Sequence, residues 1–244
     1  MGQLPQVKEV IHNCHTSNDP NFIDSFPFKK IDVTPILSNV VLNDCSIKTD
    51  LIKPTGIGFS FGSIVISNKL KRILENFNSF GVQYFPTFII HKGNKIDNYW
   101  QTHFYESPYD YIDFKNTDLL LKDRDENRKP VHKSLRRAES KEDFLEKLSS
   151  YKYPKMLVLQ NISFKKGMNL DFFFLQNFSG ANHGIVSDKL KTAIDIQHIT
   201  GPEFKTMNMD LNGWFGTNGL REKIYGPIPQ ARSNGSIEPQ IKRD

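Results

Sequence analysis

The sequence predicts an α+β fold made of two related strand-cap-helix-strand units with antiparallel hairpins. Three observations lead there. Runs rich in β-branched and aromatic residues read as strands, short serine-capped amphipathic segments between them read as helices, and one stretch of chain recurs at an offset of 120 residues. At 244 residues the chain suits one large domain or two small ones. Hydrophobic residues make up only 38%, but 19 Phe and 8 Tyr supply the area for a sizeable core.

Residues 1–30 are rich in Asn, Asp, His, Pro and Ser and read as an irregular lead-in. Ile31–Ile47 carries Val33, Ile36, Val40 and Val41 and supplies one or two strands. The turn at Lys53–Gly56 leads into the glycine-rich Gly58–Gly62. Ser67 stands at a helix N-cap, because Leu70, Ile73, Leu74 and Phe77 follow at helical spacing and Gly81 stops the segment. Val82–His91 is strand-like, with Pro86 making it an edge or bulged strand. Lys92–Lys95 is a hairpin turn, and the chain returns through Asn98–Tyr105.

The charged stretch 119–133, ending near Pro130, predicts a linker. Ser140 opens a helix with Phe144, Leu145 and Leu148 facing inward and Asp143 at the capping-box spacing. Met156–Phe164 and Leu170–Leu175 are the next strands, and Gly180–His183 is a loop. Ser187 caps a second helix with Leu190, Ala193 and Ile194 on one face. Phe204–Leu211 reads as a strand, Asn212-Gly213 as a turn, and the residues from 216 onward as a loose tail. The expected division is a first unit at 1–118, a charged linker at 119–139, a second unit at 140–215 and a tail at 216–244.

The repeat is the strongest signal. Val65–Lys71 matches Ile185–Lys191, and the register holds without a gap to Gly81/Gly201 and Tyr84/Phe204. Ser67/Ser187, Lys69/Lys189, Leu70/Leu190, Lys71/Lys191 and Gly81/Gly201 are identical. Each copy delivers β-branched residues to a capping serine, then a leucine stripe, a glycine turn and a strand. Such repetition argues architecture and not chemistry.

The string Val-Ser-x-Lys-Leu-Lys with a leucine stripe, then Gly81–Pro86, Tyr99-Trp100 and Tyr111–Phe114, together with Asp171–Phe174 ahead of Ile185–Ser187, resembles the immunity proteins of bacterial polymorphic toxin systems. The similarity is greatest to the eleventh numbered immunity family or a near relative. It covers about residues 55 to 210, with the family's features split between the two repeats. The resemblance implies a non-enzymatic cytoplasmic protein that binds and neutralises a cognate toxin, and it transfers no catalytic residues and no cofactor.

The chemical motifs are weak beside this. Gly58-Phe-Ser-Phe-Gly62 matches the Gly-x-Ser-x-Gly nucleophile elbow, making Ser60 the residue of a rival serine hydrolase reading, with Asp171 and His183 or His198 downstream. Its flanks lack the strand before and the helix after that an elbow needs. His12, Cys14, His15 and Cys45 form no tidy pairs for zinc, and Ser163–Lys166 matches Ser-x-x-Lys without its companion motifs. Two cysteines fit a reducing compartment, the N-terminus lacks the apolar core of a signal peptide, and no stretch reaches the ~18–20 apolar residues of a membrane span.

The net charge is +5, and the densest basic segment, Arg124–Arg137, is diluted by Asp125 and Glu126, so a nucleic-acid-binding module is the weaker second rival. Partner binding is expected on the aromatic–acidic hairpin Asp97–Asp113, through Asp97, Tyr99, Trp100, Tyr105, Glu106, Tyr109 and Asp110. Tyrosine and tryptophan build interface hot spots, and charge can steer a basic partner there.

Overall fold

Half-buried Val7 and Val10, set either side of a register shift, bring the chain in as β1 (Val7–His12), the edge of a sheet. The computed structural model describes residues 6–226 apart from 17, 126, 128, 179, 180, 210 and 216–218. After β1 come β2 (Ser38–Leu42), β3 (Leu51–Ile52), β4 (Val65–Ser67), helix α1 (Asn68–Glu75), β5 (Ser79–Phe80), β6 (Val82–His91) and β7 (Asn94–Phe104). All but β5 form a mixed sheet in the order β1-β2-β6-β7-β4-β3. The lead-in therefore contains a strand that its charged outer positions, Lys8 and Glu9, concealed.

Lys92 and Gly93 take φ of 52° and 74°, and this left-handed pair closes β6 on β7 as a two-residue hairpin requires. β2 pairs with β6 only at Ile89 and Ile90, so Pro86 sits where no β2 carbonyl needs its missing N–H. A register shift between Thr87 and Ile89 bulges the strand just beyond it.

The second sheet has the order β12-β11-β10-β8-β9, from β8 (Asp118–Arg124), β9 (Pro130–Arg136), β10 (Met156–Gln160), β11 (Phe172–Phe178) and β12 (Ala181–Val186). Its helices are α2 (Lys141–Ser150) and α3 (Asp188–Ile196), followed by α4 (Leu211–Phe215) and α5 (Leu220–Tyr225). The expected linker is instead a hairpin: alternate residues Leu119 and Leu121 are buried in the second core, which the intervening charges masked. The expected loop at 180–183 belongs largely to β12, which pairs with β11.

Residues 204–209 form no strand, and Asn212-Gly213 lies inside α4. The tail expected from 216 includes α5; its remaining residues, 227–244, lie outside the described residues. In α2 the Ser140 hydroxyl accepts from the Asp143 N–H at 3.2 Å. Phe144 is fully buried, but Leu145 turns to solvent.

The halves are not separate bodies. β5 runs parallel beside β11, and one core holds Ile66, Leu70, Leu74 and Phe104 from the first half with Phe172, Phe174, Leu190 and Ile194 from the second. Phe104 stacks on Phe174 with ring centroids 4.3 Å apart. This packing joins residues on both sides of 119–139.

The two serines sit in matching surroundings. The Ser67 hydroxyl accepts from the Leu70 N–H (3.2 Å) and donates to Asp50 Oδ1 (2.7 Å), while its N–H donates to the Asp50 carbonyl (2.7 Å). The Ser187 hydroxyl accepts from the Leu190 N–H (3.1 Å) and donates to Asp171 Oδ1 (2.7 Å), and its N–H donates to the Asp171 carbonyl (2.9 Å).

Each aspartate also grips the loop after the other helix. Asp50 Oδ2 accepts from the Thr200 N–H and hydroxyl, both at 2.9 Å, and Asp171 Oδ2 accepts from the Asn78 N–H at 3.1 Å. Burial raises the Asp50 carboxyl's pKa, but the hydrogen bonds from Thr200 and Ser67 outweigh it and hold the net value below the ordinary range. Replacing Ser67 or Ser187 by alanine should cost about 0.5–2 kcal/mol, read as a drop in denaturation midpoint. An unchanged midpoint for both variants would show that the caps contribute nothing.

Candidate functional site

The residues expected to bind a partner are spread along β7 and the loop after it. From Asp97 to Tyr105 the strand runs roughly 25 Å. Tyr99 and Trp100, as neighbours on a strand, point to opposite faces of the sheet. Tyr99 is 5% exposed and packs in a core with Val40, Ile52 and Ile89. Its hydroxyl donates to the Thr49 carbonyl at 3.0 Å. Burial, helped by the Asp50 charge, pushes its pKa up to about 12, so it stays a neutral donor. Tyr99 therefore serves mainly to hold the sheet together.

Trp100 is half-buried on the α1 side: its indole N–H donates to Asn68 Oδ1 (3.3 Å), and the Lys71 ammonium lies 4.3 Å from its ring centroid. Tyr109 is also half-buried, edge-on to Phe144 at 5.3 Å. Both aromatics are largely committed to packing. The surface is carried by exposed Asp97, Glu106 and Asp110 and half-exposed Tyr105. Asp97 pairs with Lys95 (3.0 Å) and Asp110 with Lys141 (2.7 Å), so the acidic character expected of the hairpin is partly neutralised. A shallow groove of 270 Å³ runs between the β6 bulge and Asp97–Trp100.

Ser60 is held, not poised. Its hydroxyl donates to Asp24 Oδ2 at 2.8 Å, and the Gly58 N–H donates to the same oxygen at 2.6 Å. Ser60–Gly62 is a single 3₁₀ turn leading to β4, with Phe61 (φ 60°) and Gly62 (φ 87°) left-handed and Ser60 not, so the segment lacks an elbow's strand-to-helix geometry. Asp171, the acid considered for that site, is engaged by Ser187 and Asn78. His12 pairs through Nδ1 with the Ser38 hydroxyl at 2.9 Å, and no group of three or more His, Cys, Asp or Glu side chains able to hold a metal ion occurs among the described residues. No helix among them is long and apolar enough to cross a membrane.

A larger concavity, with a volume of about 820 Å³, escaped the sequence reading altogether. One wall is the face of β11 and β12, including Phe173 and Ile185; the other is the chain after α3, including Met207, Trp214 and Ile224. No motif spans these positions, because they are brought together only when residues 203–225 fold back on the sheet. That return is fastened by Arg221, 4% exposed, whose guanidinium donates to both oxygens of Glu203 (2.5 and 3.0 Å), and by the Tyr225 hydroxyl, which accepts from the Phe204 N–H at 2.7 Å.

Comparison with known proteins adds one positive finding. The family model described as Immunity protein family (Imm11) matches residues 33–209. No curated protein and no solved structure matches the chain. The matched segment takes in all three serine-capped helices, the shared core and all the hairpin positions, which makes up most of the chain and agrees with the resemblance carried by the serine–lysine–leucine strings. The chain belongs to the Imm11 immunity protein family.

Proposed function

We propose that this chain protects a bacterial cell by binding a cognate toxin domain in the cytoplasm and blocking it by occupancy, with no turnover and no cofactor. Membership of the immunity family over residues 33–209 carries the reading. The engaged state of Ser60 favours it over the hydrolase alternative. We assign part of the contact surface to the exposed part of the hairpin: Tyr105, Glu106 and Asp110 after β7, with Asp97 and the open side of Trp100 at the far end.

Co-expression with the toxin encoded beside this chain tests the reading. Wild-type protein should protect cells, whereas Tyr105→Ala and Asp110→Ala should bind the purified toxin domain at least about tenfold more weakly, mainly through faster dissociation. Stability should hardly change, because the broken Asp110–Lys141 pair is an exposed one worth about 0–1 kcal/mol. Folded variants that protect as well as wild type would place the contact surface elsewhere. Protection at far less than one molecule per toxin would mean turnover and end the occupancy model.

A further inference from the structure

The 820 Å³ cleft is large enough to bury a ligand or an anchoring side chain group, and its walls are predominantly apolar. Ionisable side chains line it as well: Lys165, His183, Lys191 and Lys205 on the basic side, Asp188 and Glu203 on the acidic side. Lys165 is exposed. The His183 pKa is lowered by burial and further by the positive charges of Lys205, which lines the cleft with it, and of Lys53. Of the two acidic residues in the lining, Glu203 is neutralised by Arg221, and Asp188 is exposed in the first turn of α3, where its charge acts on Lys191. The cleft is thus greasy inside and positive around His183.

Two further observations tie it to partner binding. Its inner wall lies within the family-matched residues 33–209, but Trp214, Leu220 and Ile224 of the opposite wall lie beyond them. The family-matched residues therefore supply the floor and, through Phe204 and Met207, part of the opposite wall. It also adjoins the hairpin loop: the Lys165 N–H donates to the Tyr111 carbonyl at 2.8 Å, and Phe164 bridges to Ile112, two residues past Asp110.

We propose that this cleft, lined by the β11–β12 face and the α4–α5 return, is the anchor site for the cognate toxin. It would take a toxin segment that carries an aromatic or large aliphatic side chain beside a carboxylate. The side chain enters between Ile185 and Ile224, and the carboxylate faces Lys165 and the lysines around His183. Charge complementarity selects the partner's sign, and the apolar walls supply most of the burial. This inference rests on the immunity reading and adds the chemistry of the segment recognised.

Lys165→Glu and Ile224→Glu test it, since both side chains are exposed and neither belongs to the buried core. Lys92→Glu in the β6–β7 turn reverses a charge elsewhere and serves as control. The probes are the purified toxin domain and 1-anilinonaphthalene-8-sulfonate, an aromatic anion whose fluorescence rises in an apolar site. Both cleft variants should bind the toxin domain and the dye at least about tenfold more weakly, the control should bind like wild type, and the toxin domain should displace the dye from wild-type protein. If wild type protects cells but the cleft variants protect equally, or if the dye stays bound when toxin is added, the anchor site is overturned while the immunity reading stands. Failure of wild-type protein to protect would instead overturn the immunity reading and this inference with it.

Discussion

Gly201→Ala and Gly81→Ala are expected to be among the most damaging single substitutions in the chain. The two glycines are repeat equivalents, with φ of 105° and 67°, the region in which a Cβ crowds its own backbone. A Cβ at Gly201 would lie 2.4 Å from the Leu51 carbonyl oxygen, and one at Gly81 would lie 2.2 Å from the Glu106 carbonyl oxygen. Both obstacles are backbone and cannot swing aside. The left-handed conformation alone costs about 1–2 kcal/mol, and displacing a strand or loop backbone raises the total to about 2–4 kcal/mol.

Gly93→Ala provides the comparison: φ is 74°, but nothing lies within 4 Å of its Cβ, so only the conformational cost applies. Urea midpoints at constant m-value should rank Gly201 and Gly81 well below Gly93. If all three variants shift alike, the close approaches are not part of the folded structure in solution.

What the sequence made legible was whatever local physics decides. Ser67, Ser140 and Ser187 could be read as caps because a hydroxyl before a helical stripe has one evident use, and all three accept from the N–H three residues on. The Lys92–Lys95 turn was legible for the same reason. Legibility failed where neighbours decide. The charges of 118–136 concealed a hairpin because Leu119 and Leu121 need only alternate to be buried.

The aromatic hairpin looked like one surface because sequence order does not show that Tyr99 faces one core while Trp100 faces α1. Phe204–Leu211 looked like a strand because its composition suits one, yet Lys205 turns back to donate to the Met209 carbonyl, and Tyr225, which the segment does not contain, takes the Phe204 N–H. The large cleft is the extreme case: its lining runs from Phe164 to Ile224, and nothing short of the fold brings those residues together.

Leu190→Ala should carry the largest penalty of all, and the way the loss is distributed matters more than its size. Leu190 is fully buried in the core that joins the two sheets, among Leu70, Leu74, Phe172 and Phe174. Truncating a leucine in such a site costs about 2–5 kcal/mol, depending on how far the cavity can collapse. If residues 1–118 and 140–215 were independent domains, that cost would fall on the second alone. The packing predicts otherwise: β5 lies against β11, Phe104 stacks on Phe174, and the aspartate bonded to each capping serine binds the loop after the opposite helix.

Nature has placed a reporter in each half, Trp100 on β7 and Trp214 in α4. With each tryptophan in turn replaced by phenylalanine, the Leu190→Ala shift in urea midpoint should be the same whether Trp100 or Trp214 reports it, as one cooperative transition requires. A shift seen by Trp214 but not by Trp100 would mean that the halves unfold separately, and the shared core would then be a contact between domains and not the centre of one.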